Sequence, residues 1–222
     1  MLGAAGLVAV AIALLLIGGL AVDHRPFGFD HAIMLGLRTP GHLEVPVGPR
    51  GLKAVMIDVT ALGSVPILTL VMLVVVGLLL AMRRWVTALL TAAACASAGL
   101  VVTLLKNEVG RPRPAIVPHL VDASGLSFPS GHSAGSAAVY LTLTALATQV
   151  VEGEPVRRYL IAVAALLVGA IGVSRVYLGV HWPSDVLAGW SFGTLWALGW
   201  WKLGASLRER VGVEGQQSLG AA

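Results

Sequence analysis

The chain has 222 residues, of which 57% are hydrophobic and 12% are charged, and its mean hydropathy is +0.86. A soluble domain carries about 25% charged residues, so this composition excludes an ordinary water-soluble protein and indicates an integral membrane protein. The formal net charge of +4 is accounted for by loop residues and by a cluster described below, so we expect no nucleic-acid partner.

Uncharged segments follow one another along the chain and predict transmembrane helices. Because a helix needs about 20 apolar residues to cross the hydrocarbon core, the first four are long enough, and the last two become so with Arg175 and Asp185 at their ends. The first lacks the basic start of a signal peptide and is predicted to be retained. The sequence therefore predicts an all-α fold, a six-helix transmembrane bundle in one domain, residues 1–222. The uncharged runs are residues 1–22, 59–82, 85–105, 133–151, 159–174 and 186–201.

Two segments outside these runs have expected positions of their own. Residues 23–62 are predicted to form an outer-face loop able to fold into short interfacial helices, because Phe27 and Phe29 lie close in sequence to Arg25 and Arg38. An ordinary capping loop is an equal alternative for this segment. Residues 203–222 are predicted to form a cytoplasmic tail.

Basic residues in the short loops predict the orientation. Arg83 and Arg84 join the second and third runs, Arg157 and Arg158 join the fourth and fifth, and Lys202 begins a basic C-terminal segment. The positive-inside rule places all of them in the cytoplasm, together with both termini. We therefore expect the opposite helix ends to face the cell exterior or periplasm.

Three polar segments interrupt the apolar sequence. Because successive transmembrane helices cross in alternate directions, all three are predicted to lie at that outer face. Ionisable groups that cluster at one membrane face are a hypothesis for a functional site. The segments contain three cations, two imidazoles and one carboxylate, a set that suits phosphoryl transfer without a metal. They are Lys106 with Arg113-Pro114, Pro129-Ser130-Gly131-His132, and Ser174-Arg175 with His181 and Asp185.

Several of these residues also have a purely structural interpretation. Lys106 could equally be an interfacial anchor. Arg111 and Arg113 could merely solvate a loop, and for Arg111, which lies between Lys106 and Arg113, this is the expectation. Ser130 could cap the fourth helix, although a helix start with a glycine is also an anion site. Arg175 is harder to explain structurally, because a guanidinium near the end of an apolar helix needs an anionic partner.

His181 and Asp185 are predicted to act as a pair. Asp185 lies near the start of the sixth helix, where its carboxylate can reach back to one ring nitrogen of His181. Such a contact fixes the tautomer and directs the other nitrogen outward. A structural His–Asp pair at a helix end is the alternative.

Taken together, the three segments resemble the type-2 phosphatidic acid phosphatase family, whose signature is Lys-x6-Arg-Pro, Pro-Ser-Gly-His and Ser-Arg-x5-His-x3-Asp. Every signature position is matched, and the resemblance covers residues 58–201. It implies a nucleophilic His181 that forms a phosphohistidine, Asp185 as its orienting partner, and His132 as general acid and base. It also implies that no metal or other cofactor is needed. The implied phosphate-binding residues are Lys106, Arg113, Ser130, Gly131 and Arg175.

The resemblance further implies hydrolysis of a lipid phosphate that enters from the bilayer. The first expectation is undecaprenyl diphosphate, in the cytoplasmic membrane of a bacterium; phosphatidylglycerol phosphate and phosphatidic acid are alternatives. A lipid phosphotransferase and a transporter of phosphorylated solutes remain as rival functions, although the sequence lacks the midplane charges and related halves typical of transporters. We expect a monomer, because the spacing of Gly131 with Gly135 and of Gly189 with Gly193 favours helix packing within one chain.

Overall fold

The computed structural model describes residues 26–220, and the side chains of residues 26–149 and 151–207. The first predicted transmembrane helix, residues 1–22, lies outside the described residues. The described elements are α1 (Gly28–Gly36), β1 (Arg38–Thr39), β2 (His42–Pro46), α2 (Leu52–Ala61), α3 (Val65–Ala81), α4 (Trp85–Val109), α5 (Gly131–Val150), α6 (Glu154–Tyr177) and α7 (Pro183–Gly220).

The predicted all-α fold is confirmed, with one small addition. α5 lies at the centre of the bundle, where it packs against α3, α4, α6 and α7, while α2 packs against α6. The addition is an antiparallel hairpin of β1 and β2, which follows α1. The segment between residues 26 and 62 thus contains two short helices and a hairpin.

The number of membrane spans stays a prediction. By length and composition, α4 and α6 can each cross a membrane, and α2 with α3 would form a third span if this pair, bent by 46°, crosses as one unit. α5 is rich in glycine, serine and threonine and is surrounded by other helices. An interior helix needs less apolar surface than a lipid-facing one, which explains its lower hydropathy.

Helix ends occur where the local sequence favours them. Ser130 caps α5 by accepting a bond from the backbone amide of Ser133 at 3.4 Å. Pro183 is the first residue of α7, a position where its missing amide hydrogen costs nothing. Gly110 caps the end of α4 after Val109, and its φ of 66° lies in the left-handed region that glycine adopts easily. These ends separate the apolar helices from the polar segments.

Glycines bring α5 and α7 into close contact. A Cβ atom on Gly193 would lie 2.5 Å from the carbonyl oxygen of Ala134, and one on Gly189 would lie 2.8 Å from that of Ser130. A Cβ on Gly135 would approach a methyl group of Leu68 at 3.1 Å. Gly135, Gly189 and Gly193 therefore pack helices within the chain, as predicted, whereas a Cβ on Gly131 would meet only Cε of Lys106. The contact fixes the start of α5 relative to the start of α7.

Candidate active site

The three polar segments meet at one end of the bundle. Lys106 is in the last turn of α4, and Arg175 is in the last turn of α6. His132 is in the first turn of α5, and Asp185 is in the first turn of α7. Since consecutive helices run in opposite directions, these four helix ends face the same side. Arg113 reaches the site from the segment that joins α4 and α5.

His181 and Asp185 form a buried pair. Nδ1 of His181 lies 3.4 Å from Oδ2 of Asp185, and the side chains are 2% and 0% exposed. The same carboxylate oxygen accepts a bond from the backbone amide of Trp182 at 2.9 Å. A carboxylate in the first turn of a helix is favoured there by free amides and by the helix dipole. The start of α7 therefore aims Asp185 back at the imidazole.

Arg113 determines which ring nitrogen of His181 carries the proton. Nη1 of Arg113 lies 3.2 Å from Nε2 of His181. A guanidinium only donates hydrogen bonds, so Nε2 must accept and the proton lies on Nδ1, which faces Asp185. Burial, followed by the positive charge of Arg113, holds the pKa of His181 well below its ordinary value. The ring is thus neutral, with its lone pair on Nε2.

Three cations of the site bond only to uncharged groups within the described part of the chain. Nζ of Lys106 donates to the carbonyl of Leu126 at 2.8 Å. Arg113 donates to the carbonyls of Ser124 and Val180, each at 2.8 Å. Nη1 of Arg175 donates to Oγ1 of Thr60 at 3.0 Å.

These cations are close enough to repel one another electrostatically. The ion pairs among the described residues do not include Lys106, Arg113 or Arg175. Arg175 is only 6% exposed, and its Nε finds no hydrogen-bond partner among the described residues. Cations left in this state attract an anion, and a phosphate group would compensate their charge.

The segment that begins α5 lies beside these cations. Ser130 is fully buried and serves as the helix cap, and its backbone amide donates to the carbonyl of Asp185 at 3.0 Å. A Cβ on Gly131 would meet only Cε of Lys106, at 3.8 Å. The first amides of a helix have no acceptor within the helix, so this start can bind an anion. His132 interacts electrostatically with Arg175 and His181 across the site.

Arg111 is not a solvated loop residue, and that expectation was wrong. Its side chain is 0% exposed, with Nη1 at 2.7 Å from Oδ1 of Asp185 and Nη2 at 3.3 Å from Oδ2 of Asp30. The segment after α4 turns into the protein, which the local sequence does not show. Asp30, in α1, was missed entirely. An acidic residue within the apolar stretch from Phe27 to Leu35 is the signal that could have found it.

A cavity of about 420 Å³ leads away from the cations between α3, α4 and α5. Lys106 and His132 line it at the site. The rest of its lining is mostly apolar or small, so it suits hydrocarbon. The apolar and small residues include Leu68, Met72, Gly99, Val102 and Gly135.

Among the described residues, no group of three or more histidine, cysteine, aspartate or glutamate side chains is placed to hold a metal ion. Lys106, Arg113 and Arg175 supply positive charge without a carboxylate partner among these residues. A phosphate held by these cations would lie near Nε2 of His181, because Arg113 contacts that nitrogen. The arrangement can therefore support attack by an imidazole on a bound phosphate.

Comparisons with known proteins agree with this chemistry. The family model described as the PAP2 superfamily matches residues 85–208. Phosphatidylglycerophosphatase B of Bacillus subtilis is 35% identical over 149 residues, which cover 65% of this chain and 71% of that protein. Lipid A 1-phosphatase of Rhizobium etli is 35% identical over 114 residues, which cover 47% of this chain and 43% of that protein.

A solved structure has the same fold over nearly the whole chain. The crystal structure of the transmembrane PAP2-type phosphatidylglycerolphosphate phosphatase from Bacillus subtilis has a TM-score of 0.74 and 27% identity. The matched region covers 92% of this chain and 96% of the chain in that crystal structure. The family model alone spans more than half of the 222 residues and includes the three polar segments. This chain belongs to the PAP2 superfamily and is a membrane lipid phosphate phosphatase.

Proposed function

We propose that the protein hydrolyses a lipid phosphate through a phosphohistidine on His181, without a metal. One observation carries the proposal: Nδ1 of His181 faces Asp185, and its Nε2 faces Arg113, a cation that has no carboxylate partner in the described residues. Asp185 accepts a hydrogen bond from Nδ1 and stabilises the positive charge that the ring acquires. Lys106, Arg113 and Arg175 bind the non-bridging oxygens, with the free amides at Gly131.

The reaction then has two steps. In the first, Nε2 of His181 forms a bond to phosphorus while the bond from phosphorus to the lipid oxygen breaks, and His132 in its protonated form gives that oxygen a proton. In the second, His132 removes a proton from water, the hydroxide attacks phosphorus, and the phosphorus–nitrogen bond breaks. Inorganic phosphate leaves, and both histidines return to their starting states.

The lipid part of the substrate would lie in the cavity between α3, α4 and α5. Its lining joins Lys106 and His132 to apolar and small side chains, so a phosphate at the cations would place the attached chain among hydrocarbon groups. Entry would occur sideways from the bilayer, at the membrane face where the site lies. We propose that this is the outer face, with both termini cytoplasmic, and that one copy of the chain suffices.

For the specific lipid we propose phosphatidylglycerol phosphate. This lipid gives its name to a relative that the chain matches over most of both lengths, and to a solved structure of the same fold. Undecaprenyl diphosphate, the first expectation from the sequence, would present a longer chain and a second phosphate to the same cations. The two substrates therefore need to be compared directly.

The test is phosphate release by protein purified in detergent, in the presence of EDTA. We expect release from phosphatidylglycerol phosphate to exceed that from undecaprenyl diphosphate and phosphatidic acid. We expect His181→Ala to abolish release and to prevent formation of an acid-labile phosphoprotein in quenched samples. His42→Ala, in the exposed hairpin residue, is the matched control and should keep the wild-type rate.

Other outcomes point to the rival functions. A loss of release after chelation would contradict the metal-free mechanism. Transfer of phosphate to added glycerol in preference to water would indicate a phosphotransferase. If folded wild-type protein releases no phosphate but moves a labelled phosphorylated solute into proteoliposomes, the transporter would replace the phosphatase.

A further inference from the structure

Asp30 is a buried carboxylate that lies outside the three polar segments. Its side chain in α1 is 0% exposed, and it accepts several hydrogen bonds. Its Oδ1 accepts from the backbone amide of Ser184 at 2.8 Å. Its Oδ2 accepts from Oγ of Ser184 at 2.8 Å, from the amide of Phe27 at 3.0 Å and from Nη2 of Arg111 at 3.3 Å. Two of these bonds hold the first turn of α7.

Arg111 joins Asp30 to the candidate nucleophile. Its Nη1 donates to Oδ1 of Asp185 at 2.7 Å and to Oγ of Ser184 at 2.8 Å. Oδ2 of Asp185 faces His181. A continuous set of buried contacts therefore runs from α1 to the imidazole, and each of the four side chains in it is at most 2% exposed.

The charges within this set matter for the chemistry. Two carboxylates share one guanidinium, so the ionised set has an excess negative charge, buried where electrostatic interactions are strong. If Asp30 were neutral, the positive charge of Arg111 would act on Asp185 alone. Asp185 would then stabilise a positive charge on His181 less well. The imidazole acquires such a charge when Nε2 bonds to phosphorus.

Other charged groups near His181 have the opposite sign. Arg113 reaches it from the segment after α4, Arg175 from α6, Lys106 from α4 and His132 from α5. These groups oppose positive charge on the ring. Within the described residues, the carboxylates of Asp185 and Asp30 provide the compensating charge.

We propose that Asp30 is a positioning residue for phosphoryl transfer: through Arg111 and Ser184 it orients Asp185 and keeps its negative charge available to His181. This inference rests on the proposed phosphohistidine mechanism. Asp30 does not touch the cations that would bind phosphate, so its effect falls on the transition state and leaves substrate binding nearly unchanged.

The first test is Asp30→Asn, which keeps the shape of the side chain and removes its charge. We expect kcat for lipid phosphate hydrolysis to fall by about ten-fold to a hundred-fold, the loss typical when an outer-shell hydrogen-bond partner of a metal ligand is removed, with KM nearly unchanged. Met34→Ala is the matched control, because Met34 is buried in the same helix and lies outside the set. It should lower the thermal unfolding temperature and keep kcat.

A double-mutant cycle separates positioning from a merely structural role. If Asp30 acts through Asp185, then Asp30→Asn should have almost no further effect on kcat in the Asp185→Asn background. Multiplying effects, or a rise in KM that accounts for the whole loss, would overturn the inference. So would a wild-type kcat in folded Asp30→Asn.

The turnover rate of the wild-type protein shows whether a negative result concerns the role of Asp30 or the proposed function itself. Turnover that His181→Ala abolishes, together with a wild-type kcat in Asp30→Asn, would overturn the positioning role alone. Absence of turnover in folded wild-type protein would overturn the proposed function and this inference together.

Discussion

His181 has a different partner at each ring nitrogen, and the two partners have opposite effects on its charge. Asp185 accepts a hydrogen bond from Nδ1 and favours a positive ring, whereas Arg113 donates to Nε2 and opposes one. The donor at Nε2 also occupies the direction in which phosphorus would approach. A substrate phosphate therefore has to take over the hydrogen bond of Arg113 as it binds.

The acid limb of the pH profile tests this electrostatic arrangement. Burial, and then Arg113, hold the pKa of His181 below its ordinary value of about 6.5, so the neutral nucleophile should persist into acidic solution. Arg113→Gln removes a positive charge and therefore raises the pKa of His181. We expect the acid limb of kcat/KM to move to higher pH while the rate falls.

The wild type and the variant are measured with the same lipid, so ionisation of the substrate contributes equally to both pH profiles and does not explain a difference between them. Arg157→Gln, near the start of α6 and so at the opposite end of that helix from Arg175, is the control and should leave the limb in place. An acid limb that stays fixed or moves to lower pH in Arg113→Gln would contradict the assigned role of Arg113.

The sequence predicted the local pair of this site well and its distant partners poorly. His181 and Asp185 are four residues apart, so the start of a helix is enough to bring them together. The contact between Arg111 and Asp30 joins residues 81 positions apart. Neither spacing nor hydropathy encodes such a contact. For this reason Arg111 was assigned to a solvated loop and Asp30 was missed.

At the scale of elements, the contact between α5 and α7 keeps the two histidines in register. Gly193 lies against backbone atoms of α5 that cannot move independently. We expect Gly193→Ala to lower the free energy of unfolding by about 1–3 kcal/mol, because an added methyl group overpacks the contact. It should also lower kcat, since His132 begins α5. Thermal unfolding and phosphate release in detergent would measure both effects.

Gly199 supplies the matched control for this substitution. It lies in the same helix, and a Cβ atom there would meet nothing within 4 Å. Gly199→Ala should leave activity unchanged and should not destabilise the protein, because alanine favours a helix over glycine by about 0.5–1 kcal/mol. Equal destabilisation by both substitutions would show that the glycine contact is not the cause.

The uncharged runs predicted where the long helices lie, but they did not predict the break between α2 and α3. Residues 59–82 form one uncharged run, whereas α2 ends at Ala61 and α3 begins at Val65. Gly63 lies in this break, where a Cβ atom would be 2.5 Å from a methyl group of Ile171 in α6. The break thus allows close packing, a tertiary cause that an uncharged segment cannot display.

At the scale of the whole molecule, the two ends of the bundle carry different kinds of positive charge. The site end holds the half-buried Lys106 and Arg113 and the buried Arg175, which bind to carbonyl and hydroxyl oxygens. At the other end, Arg83 and Arg84 lie between α3 and α4, and Arg158 pairs with Glu154 at the exposed start of α6. The first set suits an anionic ligand, and the second suits the positive-inside rule.

Single-cysteine labelling tests the orientation that follows from this difference. Cys95 is the only cysteine, so Cys95→Ser gives a background for Leu43→Cys in the hairpin and Met82→Cys beside Arg83, whose parent side chains are 38% and 57% exposed. The hairpin lies at the site end, where Tyr177 donates to the carbonyl of Val47 at 2.9 Å. We expect a membrane-impermeant maleimide to label the Leu43→Cys protein in intact spheroplasts and the Met82→Cys protein only after permeabilisation. The reverse pattern would place the phosphatase site in the cytoplasm, and substrate would then have to come from the inner leaflet.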